Sequence, residues 1–303
     1  MIRFQAPTPA QRGWAQPLLM AEGLPLCDYS FPLLCCWRDA YSTEIAPLEQ
    51  RLLVRLHNSQ GTVYLWPAGR GDPRPALDAI LQDAHRLDEP LRLASLTAEH
   101  QACLEEHYPG RFSFQPLRDG FDYLYEVQRL AQLPGKKLHA KRNHIHRLDE
   151  NCPGWTWAPM TDADLPLCQA LDRNWLKAAK ERETAQGLRS LDREHRALQR
   201  ALQDRALLGI HGLVLRWQDQ LLGFTLGAPL SPTVFDVSFE RAREDIQGAY
   251  PAVTRSFARW VREHYPDIRY LNREEDMGLP GLRKAKQSYY PDLMGEKIYA
   301  VEQ

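Results

Sequence analysis

Leu133-Pro134-Gly135-Lys136-Lys137-Leu138-His139-Ala140-Lys141-Arg142-Asn143-His144-Ile145-His146-Arg147-Leu148 carries five Lys/Arg and three His in the fourteen residues from Gly135, in a 303-residue chain of formal net charge -1. Cations gathered this tightly in a neutral chain point to a placed charge. Leu138, Ile145 and Leu148 fall at i, i+7 and i+10, one stripe of a helix, and Lys137, Lys141 and His144 repeat at i, i+4 and i+7 on the next. The spacing predicts a helix packed by one side, with cations and hydrogen-bond donors on another. Pro134 and Gly135 suit its N-terminal boundary, where the first N–H groups stay free for an acceptor.

The phrase returns as Leu279-Pro280-Gly281-Leu282-Arg283-Lys284-Ala285-Lys286, at an offset of 146 residues (133 to 279). Upstream, Phe4-Gln5-Ala6-Pro7-Thr8 echoes Trp157-Ala158-Pro159-Met160-Thr161 at an offset of 152 (6 to 158). Two echoes in the same order, each near half the chain length, predict an internal duplication. Two unrelated domains, each with a Pro-Gly-headed basic helix, form the other reading.

A length of 303 residues suits two domains, and 44% hydrophobic with 25% charged residues is ordinary globular composition. The near-zero net charge gives no global field for nucleic acid, so a polyanion would be met by local patches. The six cysteines show no CxxC, and the start Met-Ile-Arg-Phe-Gln has no apolar h-region. With no run near 18 apolar residues, the expectation is a cytoplasmic protein with reduced thiols and no transmembrane segment.

Along the chain, strand patterns alternate with helical ones, which predicts α/β halves with mixed sheets. Hairpins are expected around Asn58-Ser59-Gln60-Gly61 and Gln218-Asp219-Gln220. Dense alternating charge over residues 177–193 reads as a solvated helix face or loop. The polar Asp149-Glu150-Asn151-Cys152-Pro153-Gly154 marks a boundary, giving domains 1–150 and 151–303. Val234 to Glu240 alternates strictly: Phe235, Val237 and Phe239 on one face of a strand, Asp236, Ser238 and Glu240 on the other.

The order of elements in 155–303 resembles the GNAT N-acetyltransferase arrangement. That resemblance implies a strand splayed from its neighbour and a loop-helix junction, here Gln247-Gly248-Ala249-Tyr250-Pro251, that takes a donor's phosphates at a helix N-terminus. Gly248 fits the family's pattern, whereas Asp245 stands where Arg or Gln is usual and Tyr250 where a small residue is usual. Over essentially the whole chain, the segments Phe31 to Tyr41, Leu133 to His144, Phe239 to Ala242, Asp245 to Tyr250 and Leu271 to Tyr289 are similar to tandem-GNAT proteins of the phosphatidylglycerol lysyltransferase C-terminal domain family, related to Fem-type aminoacyltransferases. The fold so implied is two tandem GNAT-like domains, each a mixed, mostly antiparallel sheet flanked by helices, with the active cleft in the C-terminal one. The multi-helix membrane portion of a lipid lysyltransferase is missing from this sequence.

Acyl transfer needs a held ester or thioester, donors for the developing oxyanion and a proton-transfer group. Glu240 is the candidate to orient or deprotonate a nucleophile, and the resemblance gives Tyr289 the protonation of the leaving group. Candidate substrate contacts are Trp37, Tyr41, Phe239, Arg273, Glu274, Asp276 and Ser288, with Lys136, Lys137, His139, Lys141, Arg142, Asn143 and His144 on the basic helix. Gly248, Ala249, Arg283, Lys284 and Lys286 are candidates for donor phosphates. Each has a plain counter-reading: aromatic core, solvated charge, or structural Arg-carboxylate cluster. Zinc on His139, His144 and His146 is rejected, since no Cys or carboxylate has ligand spacing and the last two point to different helix faces. The expected reaction moves an acyl or aminoacyl group from aminoacyl-tRNA or acyl-CoA, with no tightly bound cofactor and no metal. Its acceptor is an amine or hydroxyl on a small molecule or lipid headgroup, with a tRNA acceptor end as partner. A non-catalytic duplicated module binding an anionic ligand is the alternative, and nucleic-acid binding alone the third.

Overall fold

The computed structural model describes residues 2–58, 61–181 and 185–303. The first half runs through α1 (Arg12–Glu22), α2 (Phe31–Cys36), α3 (Arg38–Tyr41), β1 (Glu44–Leu48), β2 (Arg51–Asn58), β3 (Gly61–Leu65) and β4 (Ala68–Gly69). It continues with α4 (Arg74–Arg86), β5 (Arg92–Leu96), α5 (Ala98–His107), β6 (Phe112–Pro116), β7 (Asp122–Glu126), α6 (Val127–Gln132) and α7 (His139–Asn151). The second comprises β8 (Thr156–Pro159), α8 (Leu165–Lys180), α9 (Ala185–Leu208), β9 (His211–Trp217), β10 (Gln220–Ser231) and β11 (Val234–Ala242). After these come α10 (Ala249–His264), β12 (Tyr270–Asn272), α11 (Pro280–Gln287), β13 (Leu293–Gly295) and β14 (Ile298–Glu302). The turn expected at 58–61 includes residues 59 and 60, and the charged stretch 177–193 includes 182–184, which lie outside the described residues. Two edge strands had no sequence signal: β1, which carries Pro47, tolerated at an edge, and the three-residue β13.

The strands form two mixed sheets, β1-β2-β3-β5-β14-β6 with β4 beside β2, and β13-β7-β12-β11-β10-β9-β8. Order and polarity correspond: β3 pairs β5 in parallel as β11 pairs β12. The slot between β5 and β6 is filled by β14, and the slot between β12 and β13 by β7. Each half therefore lends the other one strand across the boundary expected at 149–154, which spans the last turn of α7 and the start of the connection to β8.

The two echoes fare differently. Thr8 and Thr161 each follow the first extended segment of their half and head a capping box, with Gln11 and Asp164 accepting the cap N–H, both at 2.6 Å. That echo is structural. The Leu-Pro-Gly phrases are not counterparts: one precedes α7, after the exchanged strand, whereas the other opens α11, between β12 and β13, the place of α5 in the first half. Pro-Gly is common punctuation at helix starts, so its recurrence marks two helix entries and not one inherited position. The helix itself starts at His139, four residues beyond Gly135, with Leu138, Ile145 and Leu148 buried as the spacing requires.

One apolar core joins the first sheet, α1, α2 and α9, and reaches into β10 and β11 through Phe224, Leu226 and Phe239. A second core packs α10, α6 and α7 on the other face of the second sheet.

Candidate active site between the splayed strands

β11 and β12 pair over only three residues, ending at Asp236↔Asn272. Beyond that point β11 continues to Ala242, while the Arg273 N–H turns away to the Tyr123 carbonyl on β7 at 2.9 Å. A wedge opens between them. The register of β11 against β10 also slips by one residue around Ser238, since Leu226 faces Phe239 and Gly227 faces Val237. A bulge inverts every side chain beyond it. Phe235 therefore packs edge-on to Phe257 of α10 at 5.7 Å, and Glu240, five residues on, also faces α10, taking the Thr254 hydroxyl at 3.1 Å. Phe239 turns to the first half and stacks on Trp37 at 6.3 Å. The strict alternation expected from the sequence is corrected here: Asp236 and Glu240 lie on opposite faces.

Six polar side chains converge in the wedge. Arg273 Nη2 donates to Glu240 Oε1 at 3.0 Å, closing the gap between the parted strands. Its guanidinium also lies 5.0 Å from the centre of the Tyr289 ring. Tyr289 is 5% exposed, and its hydroxyl interacts with Thr254 and Arg273. Lys141 arrives from α7 with Nζ 4.0 Å above that ring and donates to Ser288 Oγ at 2.7 Å. Burial first, and then the Arg273 charge, push the Lys141 amine down to about 8. Burial raises the Tyr289 phenol, against the opposing pull of Arg273.

The phosphatidylglycerol lysyltransferase C-terminal family model matches residues 25–301. The chain belongs to this family. A conserved protein of unknown function from Bacteroides thetaiotaomicron is 34% identical over 100% of both chains, with a TM-score of 0.92. The C-terminal DUF2156 domain of a candidate lysylphosphatidylglycerol synthetase from Agrobacterium fabrum shares the fold at TM-score 0.68 and 14% identity, covering 98% of this chain and 93% of that one. FemX shares it more distantly, at TM-score 0.52 and 9% identity over 99% and 97% of the two chains. An uncharacterized protein of Mycoplasmoides gallisepticum is 24% identical over 181 residues, 57% of this chain, and the match spans about half (53%) of that relative.

In this lysyltransferase-family chain the loop-helix junction is covered. Gly248 caps α10 with φ +94°, and a Cβ there would meet the His144 carbonyl oxygen at 2.0 Å and the Leu148 side chain at 3.0 Å. α7 thus lies where the resemblance to N-acetyltransferases put donor phosphates, and Ala249 is buried beneath it. Pro251, third in α10, has no N–H to offer. The other proposed phosphate ligands are also engaged. Arg283 makes two 2.8 Å bonds to Asp276 and one of 2.6 Å to Asp119. The buried Lys286 donates to the Arg273 and Glu274 carbonyls. Lys284 is exposed.

On α7, Arg142 caps the preceding turn through the Leu133 and Gly135 carbonyls, and Asn143 lies 3.2 Å from His139. These three fasten the helix start. Lys136 and His144 are exposed, and Lys137 approaches the Tyr290 ring at 5.4 Å. Tyr41 lies 5.9 Å from Trp37 and is half-exposed, on the opposite side of the sheet from Glu240. Asp276 takes the Tyr123 hydroxyl at 2.6 Å besides Arg283, a buried knot with no free acceptor edge. Glu274 Oε1 and Asp236 Oδ1 are buried without partners among the described residues, and burial raises both acids.

Sequence reasoning missed the cluster under the exchanged strands. Lys297 Nζ lies 2.6 Å from Asp28, 2.9 Å from Asp122, 3.5 Å from Glu275 and 3.4 Å from Cys27 Sγ. Among the described residues, Cys27, Asp122 and Glu275 are the grouping whose donor atoms could surround a metal, and they already enclose this ammonium. No local spacing announces contacts between residues as far as 270 positions apart.

Proposed function

We propose that this chain transfers an aminoacyl group, carried as an ester on tRNA, to a hydroxyl or amine acceptor such as a phosphatidylglycerol headgroup. The observation that carries the reading is the convergence of Arg273, Glu240, Tyr289, Thr254 and Lys141 in the wedge between β11 and β12. A guanidinium and a phenol in a half-dry gap suit a carbonyl whose oxygen gains negative charge, since both can donate to it. Glu240 already accepts from Arg273 and Thr254, so its role is to hold the guanidinium in place. Support for tRNA over CoA comes from α7, which leaves no room over Gly248 for a pyrophosphate.

The test offers the purified chain lysyl-tRNA, alanyl-tRNA or acetyl-CoA, with phosphatidylglycerol vesicles or a free amine, and reads products by mass. Aminoacylated lipid or amine, lost in Tyr289→Phe with tRNA binding intact, is the expected result. Consumption of acetyl-CoA and no charged tRNA would overturn the donor. Consumption of neither returns the non-catalytic module.

A further inference from the structure

We propose that Lys141 is the proton-transfer group of this site: its neutral amine takes the proton of the attacking acceptor, and the resulting ammonium returns it to the leaving oxygen. The assignment rests on the aminoacyl-transfer reading and identifies the group that this reading leaves vacant. Glu240, the acid that the sequence nominated, has its oxygens taken up by Arg273 and Thr254. Ser288 donates its own hydrogen to the Ala285 carbonyl at 2.6 Å. Lys141 differs from both. Its nitrogen is fixed between Ser288 Oγ and the Tyr289 ring, at 2.7 and 4.0 Å, and no carboxylate lies within 4.0 Å of it among the described residues.

An amine half-removed from water, unpaired, and next to a guanidinium loses its proton more readily than a surface lysine. The charged group that bears on it is Arg273, which Glu240 holds; Arg255 on α10 feels the charges of Arg259 and Asp149. Depression to about 8 puts a usable fraction of neutral amine at physiological pH, where an exposed lysine has almost none.

The step balances. The acceptor's O–H or N–H proton passes to Nζ as its oxygen or nitrogen bonds to the ester carbonyl carbon, and the oxyanion so formed faces Arg273. On collapse the bond from carbon to the carrier oxygen breaks, and that oxygen takes the proton from Nζ. Lys141 comes from the first half and Arg273, Ser288 and Tyr289 from the second, so neither half alone holds both oxyanion donor and base.

Site-resolved trace labelling with acetic anhydride across pH 6 to 11 tests the protonation state in the wild-type chain without any substitution. Lys141 should half-react near pH 8, well below a free lysine model amine labelled in the same tube, whose ordinary value is about 10.4. In turnover with charged tRNA, Lys141→Ala should lose at least about 100-fold in kcat with tRNA affinity retained. Added ethylamine should restore part of the rate, which a merely structural lysine would not show. Lys141→Arg keeps the charge and should stay inactive. Labelling of Lys141 in step with the model amine, or an active Lys141→Arg chain with an unchanged pH profile, overturns the proposal alone. A wild-type chain that consumes no charged tRNA removes the transfer reading and this proposal with it.

Discussion

Lys297 Nζ meets Asp122 Oδ1 at 2.9 Å, joining the residue just before β14 to the first residue of β7. Lys297 is 3% exposed and Asp122 not at all, so the two exchanged strands are tied by one buried ion pair. A buried pair contributes little net stability over an apolar substitute, but removing one partner strands the other's charge.

Lys297→Met should therefore cost about 3–5 kcal/mol in urea unfolding, because Asp28, Asp122 and Glu275 lose their shared cation. Surrounding carboxylates raise the Lys297 ammonium well above its ordinary value against the cost of burial. Its contribution is complete below about pH 10 and is lost only as pH climbs through the raised folded value. An effect that faded between pH 6 and 9 would show that the cluster does not carry this charge.

Asp236 behaves in the opposite sense. It is fully buried, and desolvation pushes its carboxyl up to about 8. Between the unfolded value of about 3.9 and 8 the folded state holds the extra proton, so stability falls as pH rises across that window. Asp236→Asn keeps an acceptor for Ser238 Oγ and should stabilise the chain by roughly 2–4 kcal/mol at pH 7, with no gain at pH 4. Urea midpoints for both chains from pH 4 to 8 give the comparison.

Gly248 is the contact point between α7 and α10. An alanine would bear a left-handed φ and drive its Cβ into the His144 carbonyl. Gly248→Ala should lose about 2–4 kcal/mol. Amide exchange along residues 139–151 should quicken more than in the first sheet. Equal quickening everywhere would mean that α7 is not what the substitution dislodges.

Arg273 and Glu240 should act as a unit. Arg273→Met is expected to lower kcat/KM by about 10²–10³-fold, as for loss of an oxyanion donor. Glu240→Gln should do less, by releasing Arg273. The double variant should be no worse than Arg273→Met. Losses that multiply would assign Glu240 a separate role in the chemistry.

Much of this architecture was legible because it is local. The capping boxes at Thr8 and Thr161 are four-residue patterns, and the buried stripe of α7 follows from helical spacing alone. Glu240, Arg273, Ser288, Tyr289 and Lys141 were all in the candidate set, but which of them touch was not readable. Lys141 and Ser288 are 147 residues apart. Arg283 and Lys286 looked like free cations because their partners, Asp276 and two backbone carbonyls, are assigned only by folding.

Periodicity and capping chemistry, which act over a few residues, determined most of the helices and strands, while the family was legible only as a resemblance carried by segments such as Leu271 to Tyr289. Tertiary structure alone decided the exchange of β7 and β14, the bulge that turns Glu240 away from Asp236, and the covering of Gly248 by α7. Each of those depends on the free energy of contacts between distant segments. A one-residue slip or a swapped strand leaves every local pattern intact while changing which side chains meet.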